Sequence, residues 1–185
     1  MNTSEPIVQG RFVEPDVVTT HFHFREGDAV ADFGAGSGYF LESFSKAVGL
    51  PGRVYACEVQ RELVEKMGNL VQSKGLNNID PLWCDIEEAG GVKIADGVLD
   101  AVTIINTLFQ LDDKDATIKE AARTLRPGGK LIVIDWSESF SGLGPQPAQV
   151  VTQPDAQALV ESNNFVFERS FDSGDHHYGL TFKKP

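Results

Sequence analysis

Two periods of hydrophobic spacing take turns along this chain. Short, mostly apolar runs that read as strands lie at 28–33, 53–58, 100–105 and 130–136. The last holds Leu131, Ile132, Val133 and Ile134 in succession. Ile79 to Cys84 is a weaker run, and Pro81 inside it, with no N–H to give, predicts a strand at a sheet edge. Between the runs the spacing becomes that of amphipathic helices. One is expected from about Gly38 to Val48, stopped by Gly49 and Pro51. A second carries Leu63, Met67, Leu70 and Val71 on one stripe and stops at Gly75. A third opens at Asp112, Asp113 and Asp115, holds Arg123 and Arg126 in its last turn, and is ended by Pro127-Gly128-Gly129. After a loop rich in glycine and proline from Ser137 to Val151, a fourth starts at the cap Thr152-x-x-Asp155 and runs to about Glu161. Two final strands, Phe165 to Phe171 and His176 to Lys183, are joined by the turn Asp172-Ser173-Gly174-Asp175. Near the start, Pro15 opens a short helix with Val17, Val18, His21 and Phe22 on one face.

Five strands alternating with helices through short crossovers predict one parallel sheet with helices on both faces, to which the closing hairpin adds an antiparallel strand. The expected fold class is therefore α/β, a Rossmann-like three-layer sandwich. A length of 185 residues with no repeat and no linker predicts one domain, 1–185, with 1–26 capping a core of 27–185. Composition changes this picture little: 41% hydrophobic and 23% charged residues are those of a globular chain. Charge changes it more. Sixteen basic residues against 27 acidic ones leave a net −11, which repels phosphate backbones and anionic lipid headgroups, so neither nucleic acid nor membrane is an expected partner. No apolar run approaches the roughly 20 residues of a membrane span. Met1 to Gly10 does not have the form of a signal peptide, so the expected location is cytoplasmic. The two cysteines, Cys57 and Cys84, form no CxxC pair. Each ends a strand beside a carboxylate, which disfavours a thiolate, so both are read as structural, and no metal site is expected.

Candidate chemistry begins at the end of the first strand, where ligands bind in open α/β sheets. Asp32-Phe33-Gly34-Ala35-Gly36-Ser37-Gly38 places glycines where a ligand approaches backbone and a helix start offers free N–H groups. A dinucleotide fingerprint would be G-x-G-x-x-G, but here Tyr39 stands at the third glycine's place. Asp32 would repel a pyrophosphate and attract an ammonium or sulfonium. Glu58 ends the second strand, where a carboxylate accepts both hydroxyls of a ribose, and Asp85 follows the third, where it can accept from an exocyclic amine.

Val30-Ala-Asp32-Phe-Gly34-Ala-Gly36-Ser-Gly38 resembles the first motif of class I S-adenosylmethionine-dependent methyltransferases. Val54-Tyr-Ala-Cys-Glu58 and Cys84-Asp85 are similar to the motifs that follow it, as are Asp100 to Asn106 and Leu125-Arg-Pro-Gly-Gly-Lys130. The likeness covers about Gly27 to Pro185 and is greatest to the small-molecule branch that includes quinone-biosynthesis enzymes. It implies seven strands in the order 3-2-1-4-5-7-6, strand 7 antiparallel, and S-adenosylmethionine as cofactor. It implies that Asp32, Gly34 and Gly36 hold the methionine moiety, Glu58 the ribose, and Asp85 with Ile86 the adenine. Ala35, Gly38, Val59 and Asn106 complete the implied contacts. The implied activity is methylation of a small-molecule acceptor.

Methyl transfer from a sulfonium is an in-line displacement, so the protein mainly positions a nucleophile and excludes water, adding a base only where the acceptor must lose a proton. Candidates for that role sit on the same sheet edge: Asp135 at the end of the fifth strand, and His176 and His177 at the start of the last. Strand alternation keeps the two histidines from facing one pocket. The acceptor is expected to be gripped by the N-terminal segment, the 137–151 loop or another subunit of an oligomer. The competing readings are a non-catalytic module binding S-adenosylmethionine or S-adenosylhomocysteine, a protein or RNA methyltransferase, and a nicotinamide-dependent reductase.

Overall fold

A computed structural model describes residues 13–140, 142 and 144–185. The part of the expected capping segment before Val13 lies outside the described residues. The sheet has seven strands in the order β3-β2-β1-β4-β5-β7-β6. They are β1 (Ala29–Phe33), β2 (Arg53–Glu58), β3 (Ile79–Trp83), β4 (Leu99–Ile105), β5 (Leu125–Trp136), β6 (Val166–Phe171) and β7 (His177–Lys183). The first five run parallel, and β7 pairs antiparallel to both β5 and β6. The weak run with Pro81 is the edge strand β3, where a missing donor costs no interior ladder bond.

Alternation along the central strands gives each face its own core. Ala31, Phe33, Val102, Ile104, Leu131 and Val133 pack towards α4 (Lys114–Thr124) and α5 (Gln153–Ser162). Val30, Val54, Ala101, Ile132 and Ile134 pack on the opposite face, towards α2 (Leu41–Val48) and α3 (Arg61–Lys74). The N-terminal segment joins that second face. It forms α1 (Pro15–Val18) and one 3-10 turn, Thr19–His21. Val18 and Phe22 are buried, whereas Val17 is 49% exposed and leaves the face expected of it. Phe22 makes edge contacts with Phe44 of α2 and Phe171 of β6, at 5.8 and 6.0 Å between ring centroids.

Among the differences from expectation, three change the picture. The helix expected from Gly38 starts at Leu41, because the glycine loop continues through a run of turns. α4 ends at Thr124 and β5 begins at Leu125, so Arg126 and the Pro127-Gly128-Gly129 run belong to the strand's first stretch. The buried pair Leu99 and Leu125 holds that early start in register, and the ladder shifts between Leu99 and Ala101 to absorb it. The crossover from β3 to β4, residues 84–98, contains no helix, contrary to a strict strand–helix alternation.

Buried polar bonds replace the helix in that crossover. The Glu120 carboxylate of α4 accepts the N–H groups of Gly90 and Val92, each at 3.0 Å, and bonds to Arg123 at 2.7 and 2.9 Å. The Arg123 guanidinium donates to the carbonyls of Val92 and Ile94 and to Asp96. Burial pushes the Glu120 carboxyl up, but Arg123 and the two N–H groups outweigh it and hold it below 4.5. Its contribution to stability is therefore present above that pH and lost as pH falls through the folded value. Arg123→Ala leaves the buried carboxylate without its cation and should cost about 3–5 kcal/mol in urea unfolding at pH 7. The gap from the parent protein should narrow in acid as Glu120 protonates. An unchanged unfolding midpoint at pH 7 would show that the crossover holds without the ion pair.

Candidate functional site

β1 lies between β2 and β4, with Asp32 opposite Ala56 on one side and Thr103 on the other. This register brings the ends of β1, β2 and β4 level, and a cavity of about 520 Å³ opens above them. Its wall includes Asp32, Gly34, Ala35, Gly36, Glu58, Val59, Asp85, Ile86 and Asn106, nine of the ten contacts expected from sequence. Gly38 stands apart from the lining. A Cβ there would meet Leu41 at 2.9 Å and Met67 at 3.2 Å, so its bareness serves the packing of the α2 start. The wall carries four carboxylates, Asp32, Glu58, Asp85 and Glu87, and no lysine, arginine or histidine among the described residues.

The glycine loop owes its shape to two contacts. Gly34 and Ala35 both donate N–H to the carbonyl of Cys57 at 2.9 Å, which turns the chain sharply off β1. A Cβ on Gly34 would lie 2.5 Å from the Thr107 methyl carbon, so only glycine lets the β4 loop close behind it. Gly36 is the reverse case: a Cβ there would meet nothing within 4 Å, and the backbone faces open space. Its N–H donates to one Glu58 oxygen at 3.1 Å, and Gln60 N–H donates to the other at 2.9 Å. Glu58 is buried and still has lone pairs for a ligand, since a carboxylate offers about four acceptor positions.

Asp32 is 3% exposed and accepts from the Thr103 hydroxyl at 2.7 Å. Burial pushes its carboxyl from 3.8 up to about 6, against the pull of that hydrogen bond. Asn106 adopts a left-handed φ of +52°, and its buried side-chain oxygen has no partner. An unsatisfied buried acceptor at a cavity wall is a group that a donor entering the cavity could complete. Asp85 is exposed, accepting from Glu87 N–H at 2.9 Å, while Ile86 is buried. Thr107, Phe40 and Leu111, for which no local pattern offers a cue, also line the cavity. A glycine whose missing side chain makes room for another residue leaves no trace of its partner along the chain.

Asp135, His176 and His177 are not in this wall. Asp135 is buried beneath the loop after β4 and accepts from the N–H groups of Phe109 at 3.1 Å and Trp136 at 2.7 Å. Burial outweighs those bonds and pushes it up to about 6. His176 precedes β7 instead of starting it, has a left-handed φ of +63°, and pairs with Glu138 at 2.7 Å while stacking on Phe140. His177 Nδ1 lies 2.8 Å from the carbonyl of Asp175. A carbonyl only accepts, so that nitrogen carries the hydrogen, and Nε2 is left with a lone pair, buried and without a partner. Burial pulls this imidazole below its ordinary value.

The family model described as "Methyltransferase domain" matches residues 31–133. A structure titled as a SAM dependent methyltransferase from Aquifex aeolicus superposes with a TM-score of 0.87 at 27% identity, covering 94% of this chain and 91% of that one. The ubiquinone/menaquinone biosynthesis C-methyltransferase UbiE of Chromobacterium violaceum is 31% identical over 121 residues, 65% of this chain and 48% of that protein. The chain thus spans about half the length of the curated relatives it matches. The cyclase SpnF shares the fold, with a TM-score of 0.80 at 15% identity over 97% of this chain and 87% of that one.

The buried acids give the site a stability signature. Asp32 has a folded value above its unfolded 3.8, so the stability it contributes is full below that pH and is lost as pH rises through about 6. Asp135 acts in the same sense. Asp32→Asn should raise stability at pH 7 by up to about 3 kcal/mol, and the gain should vanish near pH 3.5. Urea unfolding at both pH values checks this; a loss of stability at pH 7 would contradict it.

Proposed function

Because the chain belongs to the class I S-adenosylmethionine-dependent methyltransferases, we propose that it transfers a methyl group from that cofactor to a small-molecule acceptor. The acidic cavity at the ends of β1, β2 and β4 carries this reading. Its unpartnered Asn106 oxygen, the open space before Gly36 and the all-carboxylate charge suit a ligand with ammonium and sulfonium groups, and suit a pyrophosphate poorly. S-adenosylmethionine would supply the activated methyl. Asp32 and Asn106 would hold the methionine ammonium, Glu58 the ribose hydroxyls, and Asp85 with Ile86 the adenine. The net charge of −11 favours a small acceptor over a nucleic acid.

Of the three residues considered for acid–base work, His177 keeps the best claim. Its Nε2 has no partner among the described residues, although burial lowers its basicity, whereas His176 is tied to Glu138 and Asp135 to two backbone N–H groups. An acceptor using it would reach from the cavity across β5 to the start of β7. The alternative of a module that binds cofactor without turnover draws on the absence of a histidine from the described cavity wall, and the test separates the two.

Calorimetry with S-adenosylhomocysteine and labelled-methyl transfer into a fractionated metabolite extract provide that test. Binding together with a labelled product is the expected result; binding with no labelled product in any fraction supports the non-catalytic module, and no binding overturns both. Glu58→Ala should weaken binding by about 1.5–3 kcal/mol, the range for hydrogen bonds to a charged group. Affinity should also fall as pH drops below about 6, where Asp32 takes up a proton, and Asp32→Asn should flatten that dependence. An affinity unmoved by Glu58→Ala would remove the ribose assignment.

A further inference from the structure

Asp135 was a candidate base, and the structure sets it behind the cavity wall instead of in it. It is fully buried near the end of β5, a strand paired with β4 on one side and β7 on the other. Its two oxygens have different partners. Oδ1 accepts the N–H of Trp136, the next residue of its own strand, at 2.7 Å. Oδ2 accepts the N–H of Phe109 at 3.1 Å, in the 3-10 turn Leu108–Gln110 that follows β4. One residue before Asp135, the Ile134 carbonyl accepts the N–H of Asn106 at 2.8 Å. The end of β5 therefore grips the loop 106–110 at two points. Asn106, left-handed at a φ of +52°, is held from its other side as well, since its carbonyl accepts from Gln110 Nε2 at 2.8 Å.

We propose that Asp135 is a positioning residue of the cofactor site, clamping the loop after β4 through the Phe109 N–H so that Asn106 keeps its place in the cavity wall. The proposal rests on the cofactor reading of that cavity, with the unpartnered Asn106 oxygen at the methionine ammonium. Asp135 itself touches neither cofactor nor acceptor and acts through Asn106.

A carboxylate suits both of its neighbours. Trp136 and Phe109 each present a donor, so the group between them must offer an acceptor on each side. An amide in its place has one oxygen and sets its NH2 against the second N–H, donor to donor. A clash with Trp136 has no relief, because that N–H belongs to the next residue of the same strand. The loop is able to move, so Phe109 is the partner that lets go. A left-handed residue other than glycine persists where its surroundings fix it, and release of Phe109 takes away one of the bonds that fix Asn106.

The test compares S-adenosylhomocysteine with the same compound lacking its amino group. Calorimetry at one neutral pH measures both on the parent protein, Asp135→Asn, Asn106→Gly and the double variant. Glycine at 106 removes the side chain and accepts the left-handed backbone. Each single variant should weaken S-adenosylhomocysteine by at least about tenfold, the loss of one hydrogen bond to a charged group. The double variant should bind no more weakly than Asn106→Gly alone. The amine-free compound should bind the parent protein and Asp135→Asn alike, which a general loosening of the cavity would not allow. Unchanged affinity in either single variant, an equal loss for both compounds, or losses that multiply in the double variant overturn the proposal. Asp135→Ser, which keeps one hydroxyl acceptor, repeats the comparison where Asp135→Asn does not fold. Failure of both to fold also overturns it, by making Asp135 a residue of the fold alone. Failure of the cofactor reading shows separately, as no binding of S-adenosylhomocysteine by the parent protein.

Discussion

One carboxylate ties the two loops that make the cavity. Glu58 ends β2 with one oxygen on the Gly36 N–H and the other on the Gln60 N–H, so the glycine loop and the start of α3 are held at a fixed separation. Hydrogen bonds to an ionised group are stronger than neutral ones, and here both donors are backbone, with no side-chain freedom to lose. The arrangement works because β1 and β2 are parallel and in register, and because Gly34 and Ala35 fold back onto the Cys57 carbonyl one residue earlier. The same group that shapes the empty site keeps lone pairs to receive a ligand.

Asp32 adds the opposite kind of contribution. Its burial works against the fold at neutral pH, and among the described residues the Thr103 hydroxyl compensates. Residues that destabilise the native state and still point into a cavity are familiar at functional sites, where stability and activity pull against each other. A cationic ligand restores what the fold gives up, by letting the carboxylate ionise beside an opposite charge. The site is thus electrostatically incomplete until filled, which fits membership in a family whose cofactor is a sulfonium.

Much of this was legible along the chain for a simple reason. A buried strand is mostly apolar, so the acids at or beside the end of such a run, Asp32 and Glu58, point to the ligand edge, whereas Asn106 was named through the family resemblance. Pro81 identified an edge because a residue without an N–H cannot serve two neighbours. What escaped depends on distant partners. Nothing local announces that Thr107 fills the space behind Gly34, or that Leu99 and Leu125 lengthen β5 at the expense of α4. His176 was expected to begin the last strand by its place after the turn, but its left-handed backbone and its pairing with Glu138 put it in the loop.

The helix-free crossover between β3 and β4 makes the molecule mechanically uneven. Elsewhere each strand of the cavity floor is backed by a full helix, whereas residues 84–98 rest on the Glu120–Arg123 cluster and a few apolar anchors, Ile86, Val92 and Ile94. Amide hydrogens exchange fastest where opening breaks the fewest buried contacts. Residues 84–98 therefore depend for their place on side chains of another element, so their amide protection follows the Glu120–Arg123 cluster and not a helix of their own.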